Sequence, residues 1–420
     1  MKIKILYILI LLLIGACSTS KKISKDFAKI SEENNYFRGL VVFNPEKNKT
    51  LIKVNGNKYF TPASNTKLFT FYTAYKTFKD SVTALKYKRT KDSLIILGTA
   101  DPSLEYIFEE NKTLEFLKSN DQEVFLVDAH INDTKYGDGW SWDDYAYYYM
   151  PERNLFPIYG NVINISKNGN DLKIIPGFFE QNFSVGDTKG IRRDISTNNF
   201  YVRTDEEIKE RKIPFQTSNQ LVADLLSKET GKKVVLIKYK NTTDFQELKS
   251  VRYDSLYKEM LVKSDNFIAE QLLLQVGNEM EGSYSVSKAI KYALEHYLEG
   301  IPQKPRWVDG SGLSRYNLFT PESLVFLLNK MYREIPNEKL MTYFPVGGES
   351  GTLENYYKNE NPYIFAKSGT LSNNYNLSGY LITKKGTLLI FSYMNNHYQG
   401  SSSVRKKEMN ALFKALYDAY

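Results

Sequence analysis

Cysteine and histidine are scarce in this chain, and their scarcity argues against several kinds of chemistry. Cys17 is the single cysteine among 420 residues, so no disulfide can form within the chain. The three histidines, His130, His296 and His397, are far apart and have no acidic ligand pattern beside them. That spacing argues against a Ser-His-Asp triad and against a zinc site, so we expect neither a metal nor a cofactor.

The apolar run near the start of the chain is too short to span a membrane. Ile5–Ile14 falls below the ~20 residues that a membrane-spanning helix needs. Lysines precede the run, and it ends in Leu-Ile-Gly-Ala-Cys, which resembles the lipobox of bacterial lipoproteins. The resemblance implies that Cys17 is lipidated and anchors the protein to a membrane. We predict a lipoprotein signal peptide at 1–17 and a polar tether at 18–25; the alternative is an ordinary signal with an incidental cysteine.

Neither sign of charge dominates the sequence. The 56 basic and 48 acidic residues are interspersed and give a formal net charge of +8, which argues against a nucleic-acid partner. Hydrophobic residues make up 42% of the chain, enough to build a core, and the length predicts two or more domains.

The stretch Thr61–Phe69 predicts a turn that leads into a buried helix and presents a serine together with a lysine. Pro62 suits the first turn of a helix, and the residues after Lys67 are mostly apolar. Ser64 and Lys67 are three positions apart, so on a helix they share a face, with Cβ atoms roughly 5–6 Å apart. Burial would lower the pKa of the lysine, which could then take the proton of the hydroxyl. This pattern indicates a serine nucleophile with a lysine base.

The spacing alone does not identify the nucleophile. The same S-x-x-K pattern occurs at Ser18/Lys21, Ser255/Lys258, Ser285/Lys288 and Ser403/Lys406. The alternative interpretation of Ser64 is therefore a helix N-cap followed by a surface lysine.

Hydrophobic periodicity and turn residues give a coarse secondary structure. Strands are predicted at 38–43, 50–54, 58–60, 94–97, 124–127, 162–165, 363–367, 376–383 and 387–393. Helices are predicted at 219–228, across 256–276 and 285–298, after Pro321 with Thr320 as N-cap, and at 402–417. The region 86–250 is interpreted as a strand-rich insertion.

Three further motifs complete a known order. Lys263–Asn266 contains S-x-N in a region predicted to be helical, Asp309–Ser314 is a glycine-containing loop, and Lys367–Thr370 contains K-[ST]-G at the end of a strand. The sequence S-x-x-K, S-x-N, K-[ST]-G matches the signature shared by active-site-serine penicillin-binding proteins and serine β-lactamases.

The long separation of Ser64 from Ser264 makes the resemblance more specific. The chain resembles the class C low-molecular-mass penicillin-binding proteins, the D-alanyl-D-alanine carboxypeptidase/endopeptidase family, over essentially everything after the tether. Further stretches similar to that family are Ala100–Leu104, Gly139–Asp144, Val308–Arg315, Gly347–Leu353, Ala366–Leu371 and Ser378–Tyr380. Position 368 departs from it, because serine stands where the family usually has threonine.

The resemblance implies an α/β (α+β) fold. We expect a transpeptidase-like, serine β-lactamase-like catalytic domain with an antiparallel sheet flanked by helices. It would consist of 26–85 together with 251–420, and 86–250 would form an inserted strand-rich region of one or two small domains.

The resemblance also implies roles for the residues of the three signature motifs. Ser64 would attack the carbonyl of the penultimate D-alanine, and Lys67, neutral in the resting enzyme, would accept its proton. Ser264 would relay a proton to the departing amine, and Asn266 would orient the peptide. Lys367 is the second cation expected to help keep Lys67 neutral.

Recognition of the substrate carboxylate is assigned to the last motif. Lys367 and the hydroxyls of Ser368 and Thr370 would hold the carboxylate of the terminal D-alanine. The backbone N–H groups of Ser64 and Thr370 would form the oxyanion hole.

The function implied is that of a hydrolase of the bacterial cell envelope. We expect a serine DD-peptidase, lipid-anchored and facing the periplasm at the outer membrane, that removes the terminal D-alanine of peptidoglycan stem peptides and cleaves D-alanyl cross-links. β-Lactam antibiotics would act as covalent inhibitors. The alternatives are a non-catalytic peptidoglycan-binding lipoprotein and a β-lactamase or esterase on the same fold.

Overall fold

The computed structural model describes residues 21–29, 35–108, 112–169, 171–186, 190–203 and 208–420. Cys17, the predicted signal peptide and the first part of the tether lie outside the described residues. Residues 21–29 form helix α1, so the predicted tether is already helical from residue 21. Phe27 of this helix is buried in a hydrophobic core.

The strands are numbered in the order in which they occur along the chain. They are β1 (Phe37–Asn44), β2 (Lys49–Val54), β3 (Ser81–Arg89), β4 (Ser93–Gly98), β5 (Glu123–Val127), β6 (Val162–Asn168), β7 (Asp171–Ile175), β8 (Phe183–Val185), β9 (Ile191–Arg193), β10 (Phe200–Val202), β11 (Ile208–Pro214), β12 (Val234–Ile237), β13 (Gln246–Arg252), β14 (Ile364–Leu371), β15 (Asn374–Ile382) and β16 (Leu388–Asn396).

The helices that follow α1 are numbered in the same way. They are α2 (Lys67–Thr77), α3 (Lys112–Lys118), α4 (Asn219–Thr230), α5 (Tyr253–Val262), α6 (Asn266–Glu281), α7 (Val286–Tyr292), α8 (Pro321–Glu334), α9 (Asn337–Thr342) and α10 (Ser402–Ala419).

The described chain divides into two compact units. The terminal unit contains the described residues through Tyr72, together with Tyr257–Ser264 and Ala293–Tyr420. The middle unit contains Thr73–Leu256 and Asp265–Tyr292. The units differ from the predicted division mainly in that α6 and α7 belong to the middle unit.

The terminal unit is built on a five-stranded sheet in the order β14-β15-β16-β1-β2. Neighbouring strands are antiparallel, and the chain ends meet where β1 pairs with β16 in the register Leu40 with Tyr393. This is the antiparallel sheet predicted from the sequence.

Alternation along β15 separates the two faces of this sheet. Tyr375 and Leu377 point into a core that includes Phe413 of α10. On the other face, the Tyr380 hydroxyl donates to the Leu328 carbonyl of α8 at 2.8 Å. Helices therefore cover both faces, and the sheet is buried between them.

The middle unit holds three sheets. A five-stranded sheet runs in the order β12-β5-β4-β3-β13, and two three-stranded sheets have the orders β11-β6-β7 and β8-β10-β9. Buried side chains of β4, β5 and α4, among them Ile96, Leu126 and Leu226, form its core. The buried Arg153 binds Glu270 of α6 at 2.6 Å, which ties that helix to the middle unit.

Most predicted elements are present, and two predictions were wrong. The predicted strand at 58–60 is reduced to a single bridge between Phe60 and Phe319, because the chain turns there. Ser264 was predicted to be helical, but its φ of +62° interrupts the helix and separates α5 from α6. The Thr320 cap is confirmed, since its side chain accepts from Ser323 N–H.

No helix in the described part of the chain combines the length and apolar character that crossing a membrane requires. The described residues also contain no group of three or more His, Cys, Asp or Glu side chains that could hold a metal ion.

Candidate active site

Ser64 lies in a short 3-10 turn, Ala63–Thr66, directly before α2. The turn places Ser64 and Lys67 on one side, and the Lys67 Nζ donates to the Ser64 Oγ at 3.0 Å. Lys67 is fully buried, whereas Ser64 remains partly accessible. A surface lysine behind an N-cap serine, the alternative interpretation, is therefore wrong for this pair.

The loop Asp309–Ser314 supports Lys67 from a second direction. The Lys67 Nζ donates to the Ser311 carbonyl at 2.6 Å. The buried Asp309 carboxylate accepts the N–H groups of Gly312 at 2.9 Å and Ser314 at 2.6 Å, which fixes the loop.

Gly312 lets this loop touch the turn that carries Ser64. Its φ is +81°, and a Cβ at this position would lie 1.9 Å from the Ala63 carbonyl oxygen. Both the backbone conformation and the close approach require glycine.

A second lysine–serine pair is formed by the other two motifs. The Lys367 Nζ, fully buried on β14, donates to the Ser264 Oγ at 2.9 Å and to the Ser368 carbonyl at 2.8 Å. The positive φ of Ser264 sets its position between two helices, where it meets Lys367.

The environment of Lys367 disfavours its charged form. Burial, and then the charge of Lys67, hold the pKa of Lys367 well below its usual 10.5. Since the repulsion is mutual, the lysine pair favours one proton over two.

Strand β14 passes directly beside the Ser64 turn. A Cβ at Gly369 would lie 2.4 Å from the Pro62 carbonyl oxygen and 3.1 Å from the Ser64 nitrogen. The Ser368 hydroxyl donates to the Thr352 Oγ1 at 2.7 Å, and Thr370 is exposed. The terminal unit thus brings together the predicted site residues of the first and third motifs with Ser264.

Asn266, the remaining predicted residue, belongs to the middle unit. Its side-chain amide donates to the Tyr149 carbonyl at 2.8 Å in that unit. Tyr149 belongs to a tyrosine-rich stretch, residues 145–149. In this stretch Tyr147 and Tyr148 are exposed, whereas the Tyr145 hydroxyl donates to the Arg193 carbonyl at 2.9 Å.

Sequence reasoning missed the side chains that fasten the Ser64 turn to the sheet. Asn376 and Asn396 donate to the Thr61 carbonyl at 2.9 and 3.2 Å, and Asn65 donates to the Ser378 Oγ at 3.2 Å. For Asn376 and Asn396, the signal was a polar residue at a position of β15 or β16 where alternation predicts burial. The role of the Ser311 carbonyl could not be predicted, because a backbone atom leaves no residue-specific pattern.

The comparison with protein families decides the assignment. The model of the D-Ala-D-Ala carboxypeptidase 3 (S13) family matches residues 20–416. The chain belongs to this family. It is therefore a serine-type D-Ala-D-Ala carboxypeptidase, a hydrolase that acts on peptidoglycan in the cell envelope.

Two curated relatives agree with the S13 assignment. Penicillin-sensitive carboxypeptidase A of Dictyostelium discoideum is 25% identical over 398 residues, covering 79% of this chain and 76% of that protein. The D-alanyl-D-alanine carboxypeptidase DacB of Haemophilus influenzae is 32% identical over 152 residues, 34% of this chain and 31% of that protein.

The fold is shared with a crystal structure of penicillin binding protein 4 (dacB) from Haemophilus influenzae. The TM-score is 0.75 at 22% identity, covering 93% of this chain and 99% of that one. The same protein has been solved in complex with a β-lactam.

Replacing Gly312 with alanine is expected to disable this S13 enzyme. The new Cβ must displace the Ala63 carbonyl and hence the Ser64 turn, and a misplacement of about 1 Å can cost ~10² in rate. The release of D-alanine from a pentapeptide measures the effect. Gly386→Ala is the matched control, because its φ is also +81° but nothing lies within 4 Å of the added carbon. Equal loss of activity in both variants would contradict the steric argument.

Replacing Lys367 with methionine is expected to stabilise the fold at pH 7. Because the pKa of Lys367 is lower in the folded state, the unfolded chain binds a proton on Lys367 below pH 10.5, whereas the folded chain disfavours it. Removing the amine should therefore increase the free energy of unfolding. The gain should therefore shrink as the pH rises toward 10.5. Urea unfolding at several pH values measures it, with the exposed Lys407→Met as the control. If Lys367→Met is less stable than the wild type at pH 7, or if its gain in stability does not depend on pH, the lowered pKa of Lys367 is contradicted.

Proposed function

We propose that this enzyme hydrolyses the terminal D-Ala-D-Ala bond of peptidoglycan stem peptides through an acyl-enzyme on Ser64. The observation that carries the proposal is the 3.0 Å contact of the Ser64 hydroxyl with the amine of the buried Lys67. A neutral amine at this distance can take the hydroxyl proton as the oxygen attacks the carbonyl of the penultimate D-alanine.

Collapse of the tetrahedral intermediate needs a proton on the departing amine. Ser264 is proposed to relay to this amine the proton that Lys67 took from Ser64, which returns Lys67 to its neutral form. The Ser264 hydroxyl is held for this role 2.9 Å from the Lys367 Nζ. Asn266 is proposed to orient the peptide through its amide. Water then hydrolyses the ester on Ser64, with Lys67 acting as the base again.

The substrate carboxylate is proposed to bind Lys367 and the hydroxyls of Ser368 and Thr370. Burial keeps the pKa of Lys367 low in the empty site, and an arriving carboxylate would favour its charged form. Lys367 would thus be charged when it holds the terminal D-alanine, and its charge would then favour the neutral form of Lys67 that acts as the base.

The oxyanion is proposed to lie between the backbone N–H groups of Ser64 and Thr370. The close approach of β14 to the Ser64 turn supports this, since a Cβ at Gly369 would fall 3.1 Å from the Ser64 nitrogen. Loss of one such donor typically costs about 10²–10³ in rate.

The wider setting of the enzyme is proposed from the sequence. Residues 26–85 and 251–420 would form the catalytic domain, with 86–250 inserted. Residues 1–17 would be a lipoprotein signal peptide, and Cys17 would hold the enzyme at the periplasmic side of the outer membrane. We also propose that the enzyme cleaves D-alanyl cross-links. In addition, we propose that β-lactams inhibit it covalently, and the β-lactam complex of the Haemophilus influenzae protein supports this second proposal.

Ser64→Ala is expected to abolish D-alanine release from a defined pentapeptide, because the nucleophile is lost. Ser255→Ala is the matched control, since this exposed serine also begins an S-x-x-K pattern and should leave the rate unchanged. Release of D-alanine by Ser64→Ala at the wild-type rate would exclude Ser64 as the nucleophile. Wild-type protein that binds the pentapeptide without releasing D-alanine would instead support the non-catalytic alternative.

Cys17→Ala is expected to move the protein from the membrane fraction to the soluble fraction, because the lipid attachment site is removed. Fractionation of cells followed by immunoblotting measures the distribution. An unchanged membrane fraction would contradict the proposed anchor.

A further inference from the structure

A cavity of about 440 Å³ opens within the middle unit. Its size is in the range of small-molecule binding sites. The residues assigned catalytic and substrate-binding roles above are absent from its described lining. Its charged lining residues are Lys79, Asp80, Lys86, Glu247, Lys249 and Glu279.

One part of the lining has an excess of positive charge. Glu247 accepts the Lys249 Nζ at 2.7 Å and lies 3.5 Å from the Lys86 Nζ, so two ammonium groups share one carboxylate. The Thr83 hydroxyl also accepts from Lys249, at 2.8 Å. Two lysines held in this way can receive a second carboxylate from a ligand.

Negative charge lies on other elements of the same cavity. Asp80 follows α2, and Glu279 stands near the end of α6. Neither carboxylate forms an ion pair with a residue that the structure describes. Burial first, and then the charges of Glu247 and Glu279, raise the pKa of Tyr284. The carboxylates of Glu247 and Glu279 therefore both influence the Tyr284 hydroxyl.

Neutral hydrogen-bonding groups complete the lining. The Tyr253 hydroxyl donates to Gln275 Oε1 at 2.9 Å, and Asn278 presents a second amide. Amides pair well with peptide groups, because each has both a donor and an acceptor. An apolar ligand would leave the charged side chains of the lining without a ligand partner, and a polyanion would meet three carboxylates, those of Asp80, Glu247 and Glu279.

We propose that this cavity binds a short zwitterionic peptide. Carboxylates of the ligand would meet Lys86 and Lys249, and its ammonium group would meet Asp80 or Glu279. The identification of that peptide as a peptidoglycan stem peptide rests on the proposed function. The cavity would then hold one stem peptide while another is cleaved at Ser64.

The test uses L-Ala-γ-D-Glu-L-Lys-D-Ala, a tetrapeptide that has no D-Ala-D-Ala bond to cleave. The full-length protein is first treated with benzylpenicillin, so that an acyl group occupies the site at Ser64, and the peptide is then titrated by calorimetry. We expect the treated protein to bind the peptide, and Lys249→Glu to weaken binding about tenfold or more, as loss of a charged hydrogen bond predicts.

Two further variants make the result specific. Lys233→Glu changes an exposed lysine of the middle unit outside the cavity and should leave the affinity unchanged. Glu279→Gln should weaken binding without reversing a charge. Failure of the treated protein to bind, or equal affinity in Lys249→Glu and Lys233→Glu, would overturn the proposal. The mass of the treated protein reports acylation separately, so failure of the proposed function is distinguished from failure of the cavity proposal.

Discussion

The active site depends on the burial of two lysine amines. Lys67 and Lys367 have no exposed surface. Lys67 donates a hydrogen bond to the Ser64 hydroxyl, and Lys367 donates one to the Ser264 hydroxyl. Burial penalises an ammonium ion, and a second amine nearby penalises it further. Burial and the charge of Lys67 lower the pKa of Lys367, which favours the uncharged amine beside Ser264. In the proposed mechanism a bound carboxylate charges Lys367, and that charge favours the neutral Lys67 that a base requires.

Close backbone contacts hold the nucleophile in place. The Ser64 turn is approached by the Asp309–Ser314 loop at Gly312 and by β14 at Gly369. At both positions a side chain would collide with backbone oxygen rather than with a movable side chain, so the glycines set the spacing. Asn376 and Asn396 add hydrogen bonds from the sheet to the Thr61 carbonyl, two residues before the turn. The geometry needed for attack is thus built into rigid elements.

The sequence predicted those elements of the structure that a local pattern of residues determines. The turn and the buried helix α2 were predicted from Pro62, from the S-x-x-K spacing and from the apolar residues that follow Lys67. Strands β14 to β16 were predicted from alternation. Prediction failed where a distant contact decides the conformation. Ser264 lies in an apolar, helix-like stretch, yet its φ of +62° places its hydroxyl against Lys367, far along the chain. Similarly, the partner of Lys67 is the carbonyl of Ser311, which periodicity cannot reveal.

Peptide mapping by mass spectrometry after brief exposure to benzylpenicillin tests the central claim most directly. The buried amine of Lys67 should activate Ser64 above every other serine, including Ser255 and Ser403, which share its spacing to a lysine. We therefore expect a penicilloyl group on the peptide that contains Ser64 and on no other. A penicilloyl group on a different serine, or protein of unchanged mass, would contradict it.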